Sequence, residues 1–268
     1  MHPFINIATR AARSAGSQII RAIERLDAIQ FSEKQQNDFV SEIDLQAEKT
    51  IIEIIRKNYP YHGILAEESG SLPGDNPEET IWIIDPLDGT TNFMHGFPHF
   101  CVSIAIQQKG RIEHGLIYDP VRQEYFTASR GGGAQLNNRR IRVSNRGTLH
   151  GSLLGTGFPY RSPNRLAPYL KTLQAIMPQV AGIRRAGSAA LDLAYVAAGR
   201  FDGYWEFDLA PWDIAAGALM VKEAGGLVSD MEGAENYLTN GNILAGNPKV
   251  FKALLQTIRT EIDAGKVA

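Results

Sequence analysis

The chain has 268 residues, 44% hydrophobic and 21% charged, and its 27 basic and 29 acidic residues leave a net charge of -2. That composition fits a soluble globular protein with a sizeable core, and the near-neutral balance argues against direct nucleic-acid binding, although Arg139, Arg140, Arg142 and the pair Arg184-Arg185 are locally basic. A single cysteine, Cys101, excludes an intrachain disulfide, Arg10, Arg13 and Arg21 break up any signal-peptide core, and no apolar run approaches the roughly 18 residues of a membrane span, so a cytoplasmic setting is expected.

Ile5, Ala8, Ala12, Ala15 and Ile19 recur at helical spacing, as do Ile43, Ala47, Ile51, Ile54 and Ile55 up to Tyr59-Pro60, so two amphipathic helices open the chain. The polar stretch Lys34-Gln35-Gln36-Asn37-Asp38 before the second helix reads as an exposed loop. Gly63 to Glu67 and Thr80 to Ile84 are short apolar runs. From Cys101 to Ser144, strand-like pieces are punctuated at Lys109-Gly110, Asp119-Pro120, Gly131-Gly132-Gly133 and Asn137-Asn138, the pattern of an antiparallel sheet. No helix follows the glycine triplet, which therefore reads as a hairpin connection and not a nucleotide loop.

The pattern changes near residue 150. After Ser152 to Gly155, helices are expected over 166–177, 188–198 and 212–224, a strand from Phe201 to Glu206, strands near Leu227 and Ile243, and a last helix from Pro248. The expectation is a mixed α/β fold (α+β) with sheets layered between helices, in one compact unit of two packed halves, 1–147 and 148–268.

The stretch from Trp82 to Thr91 concentrates the chemistry: an apolar run that ends at Asp85, Pro86, Asp88, Gly89, Thr90 and Thr91. Pro86 biases Asp85 toward an extended conformation and Gly89 is free to take angles closed to other residues, so the segment is able to aim both carboxylates at one point. Hard oxygen ligands beside free backbone N–H groups suit a divalent cation and a phosphate; a polar turn closing a strand is the plainer alternative. Glu67, Glu68, Asp44 and Asp213 also stand at the ends of expected elements. Each alone has a structural reading: Ser41 and Asp44 as a helix cap, Asp213 favouring its helix dipole, Glu67 or Glu68 as a solvated strand end. His95 and His99 flank Gly96 and Pro98 and read as loop residues without a ligand role.

Three motifs taken together resemble the inositol monophosphatase family of magnesium-dependent, lithium-sensitive sugar phosphatases: Glu67-Glu68-Ser69, the run from Trp82 to Phe93, and Trp212-Asp213 through Ala224-Gly225-Gly226. The resemblance runs nearly end to end. It implies an αβαβα fold with a largely antiparallel first sheet and a mixed second one. It also implies two or three Mg²⁺ ions: one held by Glu67, Asp85 and the Leu87 carbonyl, a second by Asp85, Asp88 and Asp213, and a weaker third by Glu67. Asp44 and Thr90 would orient and deprotonate the attacking water, Gly89 and Thr90 would bind phosphate oxygens, and Asp88, Gly187, Ser188, Ala189, Glu206 and Asp213 would hold the sugar alcohol. A homodimer is implied, and in the enterobacterial-type members a second role as an antitermination accessory factor in ribosomal RNA synthesis, with RNA polymerase and Nus-type factors as partners.

Chemistry supports the same roles. Hydrolysis of a phosphate monoester demands roughly 20 kcal/mol or more of barrier reduction, and one general base supplies about 10²- to 10⁴-fold, so metals must carry most of it. The motifs offer oxygen ligands and no paired Cys or His, which disfavours zinc. Inositol 1-phosphate and related polyol phosphates are the expected substrates; fructose 1,6-bisphosphate, a nucleotide 3′-phosphate, or a mainly transcription-binding role remain the alternatives. Arg184-Arg185 would serve a dimer interface, phosphate steering or a partner protein.

Overall fold

Alanine and isoleucine at helical spacing give α1 (Pro3–Ile23) a stripe of small buried side chains, Ala8, Ala11, Ala12, Ala15 and Ile19. The stripe lies against α2 (Glu42–Asn58), which buries Ile43, Ala47, Ile51 and Ile55. The structure is a computed structural model that describes residues 2–266 except 27, 28, 30, 36, 37, 76–78 and 161. Between the two helices β1 (Phe31–Gln35) and β2 (Asp38–Ser41) pair antiparallel, so Lys34, Gln35 and Asp38 of the expected loop belong to strands; Gln36, Asn37 and the side chains of the other three lie outside the described residues. Ser41 caps α2: its hydroxyl accepts from the Ile43 and Asp44 N–H groups, and Asp44 accepts from the Ser41 N–H at 2.8 Å.

The first sheet comprises β3 (Gly63–Ala66), β4 (Gly70–Leu72), β5 (Thr80–Asp88), β6 (Cys101–Gln108), β7 (Arg111–Asp119), β8 (Glu124–Ser129), β9 (Gly133–Leu136) and β10 (Arg139–Arg140). Its eight strands run in the order β10-β9-β8-β7-β6-β5-β3-β4, antiparallel throughout except for the parallel pair β3 and β5. A short helix α3 (Thr90–Met94) follows β5. The second sheet has five strands, β11 (Leu153–Thr156), β12 (Gly182–Arg184), β13 (Gly203–Glu206), β14 (Leu227–Ser229) and β15 (Ile243–Gly246), ordered β12-β11-β13-β15-β14. β11 is parallel to both neighbours and the other pairs are antiparallel, making the sheet mixed.

Two helices fill the space between the sheets, α5 (Ala189–Ala197) and α6 (Pro211–Glu223), while α4 (Pro163–Ile176) and α8 (Pro248–Lys266) cover the outer face of the second sheet and the four-residue α7 (Tyr237–Asn240) joins β14 to β15. The layers therefore run helix, sheet, helix, sheet, helix. α6 is buried all round from Ile214 to Val221, as a helix packed on both sides must be. Its closeness to its neighbours depends on missing side chains: a Cβ on Gly217 would sit 2.5 Å from Leu193 Cβ of α5, and one on Gly115 of β7 would sit 3.1 Å from the Ala216 backbone. Among the described residues no helix is long and apolar enough to cross a membrane.

One buried carboxylate links α2 to the first sheet. Glu48, 2% exposed, accepts from the N–H groups of Glu68 and Ser69, both at 2.8 Å, and from the Ser69 hydroxyl. It thereby fixes the turn that follows Glu67. Glu48→Ala leaves those donors without their charged partner and is expected to lower stability by about 3 kcal/mol in urea unfolding; a loss well under 1 kcal/mol would show the turn holds without it.

At the other end of α1, His2 stacks on His114 of β7 with ring centroids 4.0 Å apart. Burial first, then the neighbouring His2 ring, push His114 down to about 4, against a small opposing effect of Glu113. The fold therefore favours the neutral ring, whereas the unfolded chain protonates near ~6.5. The stability contributed by this group is complete above about pH 6.5 and is lost as the pH falls toward about 4. His114→Gln is expected to flatten the decline in melting temperature across that window, and an unchanged slope would show an ordinary histidine.

Candidate metal and phosphate site

The site is built around an irregularity in β5. Its pairing with β6 is regular up to Asp85 opposite Ser103, and then Asp88 stands opposite Cys101, so three steps along β5 face two along β6. Residues three apart on a regular strand point to opposite faces; one extra residue brings Asp85 and Asp88 to the same side. Pro86 falls inside this bulge, where its missing N–H costs no ladder bond. The Leu87 N–H donates to Asp85 Oδ1 at 3.0 Å. Where the sequence predicts a turn after Ile84, the strand continues to Asp88, and the chain reverses only at Gly89, whose φ of 100° lies in the left-handed region.

Four elements bring carboxylates to this point. Oxygens of Asp85, Asp88 and Asp213 lie within 4.8 Å of one another. Asp213 comes from the first turn of α6 and accepts from the Ala210 N–H at 2.7 Å. Asp88 is held by the first turn of α5, through the Ser188 hydroxyl and the Ala190 N–H, each donating to Oδ2 at 2.7 Å. Glu67 follows β3, and its N–H donates to the Ile84 carbonyl at 3.1 Å. Behind them Asp44 accepts on Oδ1 from the Thr90 hydroxyl at 2.9 Å, with the Leu87 carbonyl 3.1 Å from the same hydroxyl.

These groups open into a cleft of about 360 Å³ lined by Glu67, Asp85, Leu87, Asp88, Gly89, Thr90, Gly187, Ala189, Glu206 and Asp213, with Phe158, Tyr160 and Arg185 on the far wall. Two expected site residues stand outside that lining: Asp44 and Ser188, each 1% exposed, reach it through Thr90 and Asp88. Glu68 is not on the lining either, and turns its backbone N–H to Glu48. His95 is exposed, while His99 is buried with Nε2 3.1 Å from Asp192 Oδ1 of α5, so neither histidine faces the cleft. The Arg185 guanidinium lies 5.1 Å from the Tyr160 ring centre and 5.7 Å from that of Phe158.

Burial pushes the Asp85 carboxyl well above the usual carboxylate range, and the charges of Glu67, Asp88 and Asp213 push it further. Asp88 is raised by burial against its hydrogen bonds from Ser188 and Ala190, and Asp44 by burial against those from Ser41 and Thr90. A cation among these oxygens would relieve both the repulsion and the desolvation. The donor set is entirely carboxylate and carbonyl oxygen, which fits a hard ion such as Mg²⁺.

Three contributors escape sequence reasoning. Glu48 is one; its signal is that it follows Asp44 by one helical turn on the face that also carries buried Ala47 and Ile51. Asn92 is another: its Nδ2 lies 2.6 Å from the His99 carbonyl, 2.8 Å from that of Ala186 and 3.3 Å from that of Gly187, joining α3 to the loop before α5. Its place within the Trp82 to Phe93 motif is the only sequence cue. Tyr204, whose hydroxyl donates to Glu206, is the third.

The sequence model of the inositol monophosphatase family matches residues 1–264. The chain is 58% identical over 265 residues to the Nus factor SuhB of Pseudomonas aeruginosa, covering 98% of each protein. Its structure superposes on the extragenic suppressor protein suhB of Bartonella henselae with a TM-score of 0.93 at 46% identity, covering 96% of this chain and 98% of that one. An inositol monophosphatase from Anabaena gives a TM-score of 0.84 at 40% identity, over 96% and 95%. An acidic cluster on a bulged strand, an Asp–Thr pair beside it and a full-length match of sequence and fold agree, and the chain belongs to the inositol monophosphatase family.

Proposed function

We propose that this protein is a Mg²⁺-dependent phosphomonoesterase that hydrolyses myo-inositol 1-phosphate and related polyol monophosphates to the alcohol and inorganic phosphate. The observation that carries the reading is the convergence of Asp85, Asp88 and Asp213 beside the Thr90–Asp44 hydrogen bond. Glu67, Asp85, Asp88, Asp213 and the Leu87 carbonyl would hold two or three ions. Bound there, Mg²⁺ supplies charge neutralisation at the phosphoryl group and acidifies water.

The chain's own groups do the rest. Thr90 keeps its hydroxyl proton directed at Asp44, which leaves the hydroxyl oxygen facing the cleft to align an attacking water and pass its proton toward Asp44. The N–H groups at Gly89 and Thr90, opening the first turn of α3, suit phosphate oxygens. Gly187, Ala189, Glu206 and the tethered Ser188 supply the alcohol side, so that residues 1–147 handle phosphate and metal while 148–268 add Asp213 and recognise the alcohol.

The designation of the Pseudomonas aeruginosa relative as a Nus factor, at 58% identity over 98% of the chain, supports a second role as an accessory factor in antitermination of ribosomal RNA transcription, in contact with RNA polymerase and Nus-type proteins. A homodimer accords with the exposed apolar side chains Leu166 and Leu170 on α4 and Met177 after it, and with β12, which among the described residues pairs on one side only.

Asp85→Asn is expected to abolish Mg²⁺-dependent, Li⁺-sensitive phosphate release from inositol 1-phosphate by at least about 10³-fold with circular dichroism unchanged. Retained turnover, or a wild-type preference for fructose 1,6-bisphosphate or a nucleotide 3′-phosphate, would overturn the assignment. The same inactive variant is expected to capture antitermination proteins as well as wild type does, and failure of both to do so would remove the second role. Leu170→Asp is expected to convert the dimer to a monomer by light scattering; a wild-type monomer would refute the dimer outright.

A further inference from the structure

Glu206 ends β13 and Tyr204 lies two residues earlier, so the two side chains leave the strand on the same face. Tyr204 is fully buried, and its hydroxyl donates to Glu206 Oε2. On the adjacent parallel strand Thr156 pairs with Trp205, which puts Gly157 alongside Glu206. A Cβ built on Gly157 would overlap Glu206 Cδ and both carboxylate oxygens, with Oε1 nearest. The φ of Gly157 is not in the left-handed region, so the backbone does not demand glycine there. The Glu206 carboxylate occupies the space a side chain would take, and a side chain there would move it.

The arrangement holds the Glu206 carboxyl from two sides. Tyr204 occupies Oε2 with a donor, Gly157 leaves a hollow into which Oε1 is seated, and the carboxyl lines the cleft. Burial raises its pKa to about 7, opposed by the Tyr204 hydrogen bond and by Arg185. Above about pH 7, where it is ionised, a carboxylate fixed in this way accepts a hydrogen bond from a neutral hydroxyl and repels a second phosphate.

We propose that Tyr204 and Gly157 are positioning residues that set the substrate class through Glu206, selecting esters that offer a hydroxyl donor at this wall over those that offer a second phosphate. The inference rests on the polyol-phosphatase reading of the cleft. Neither residue touches the reacting atoms; both act through the Glu206 carboxylate.

The test is steady-state kinetics of wild type, Tyr204→Phe, Gly157→Ala and Glu206→Ala on inositol 1-phosphate, fructose 1,6-bisphosphate and p-nitrophenyl phosphate, with melting curves to confirm folding. Tyr204→Phe keeps the ring and removes one hydrogen bond, so KM for inositol 1-phosphate is expected to rise roughly 3- to 10-fold while kcat on p-nitrophenyl phosphate stays within about twofold. Gly157→Ala displaces the carboxylate and is expected to cost roughly tenfold or more in kcat/KM on the inositol ester, again sparing p-nitrophenyl phosphate. In both variants the ratio of inositol ester to bisphosphate should fall. If Glu206→Ala alters that ratio and the folded Tyr204→Phe protein does not, the positioning role is overturned while the cleft reading stands. If Glu206→Ala leaves it unaltered, or wild type hydrolyses none of the esters, the cleft reading falls and this inference falls with it.

Discussion

Like charges brought together out of water are the constraint on which the rest of this structure depends. Burial first, and then the charges of Glu67, Asp88 and Asp213, raise the cost of ionising Asp85, so the cluster's own charges oppose its assembly in the absence of a cation. The fold forces the convergence from outside. A bulge turns Asp88 to the side of Asp85, the first turn of α5 fixes Asp88 with a hydroxyl and an amide N–H, α6 presents Asp213 from between two sheets, and Glu48 fixes the turn that follows Glu67. The groups that hold Asp88 and Asp213 are neutral donors and Glu48 is itself an anion, so none of them supplies the countercharge that a bound ion would.

Much of this architecture was legible beforehand, for identifiable reasons. The helices at Pro3–Ile23 and Glu42–Asn58 carry unbroken 3.6-residue apolar stripes, and α6 carries an apolar run too long for a half-buried strand, so their existence follows from period and length. The strands from Cys101 onward are punctuated by turn residues at each reversal, including Lys109, Asn137 and Asn138 with positive φ. Two of the three-residue strands were not legible, while β14 was expected near Leu227. β4 and β12 have three residues each, too few to show a period, and they form because a neighbouring strand offers them an edge.

The site divides along the same line. Asp85, Asp88 and Gly89 announce themselves because an apolar strand ends on them, and Asp213 because it opens a wholly apolar helix. The bulge itself has no sequence signature beyond Pro86. Glu48, Asn92 and Tyr204 stayed hidden because each sits in a pattern with an ordinary explanation: a charged helix position, a polar residue in a short turn, an aromatic in a strand. What distinguishes Glu48 and Asn92 is a partner distant in sequence, as far as 95 residues away for Asn92, whereas Tyr204 sits two residues from Glu206 and its pairing rests on the shared face of one strand.

The layered order constrains how the cleft is taken apart and rebuilt. The groups around the cleft enter from four of the layers: Asp44 from the outer helical pair, Glu67, Asp85 and Asp88 from the large sheet, Asp213 from the central helices, and Glu206 from the small sheet. No single layer, and no contiguous half of the chain, contains the constellation. During refolding the carboxylate arrangement cannot precede the docking of the two sheets on α5 and α6, so recovery of the complete cleft would follow that packing step, after backbone signals have begun to recover.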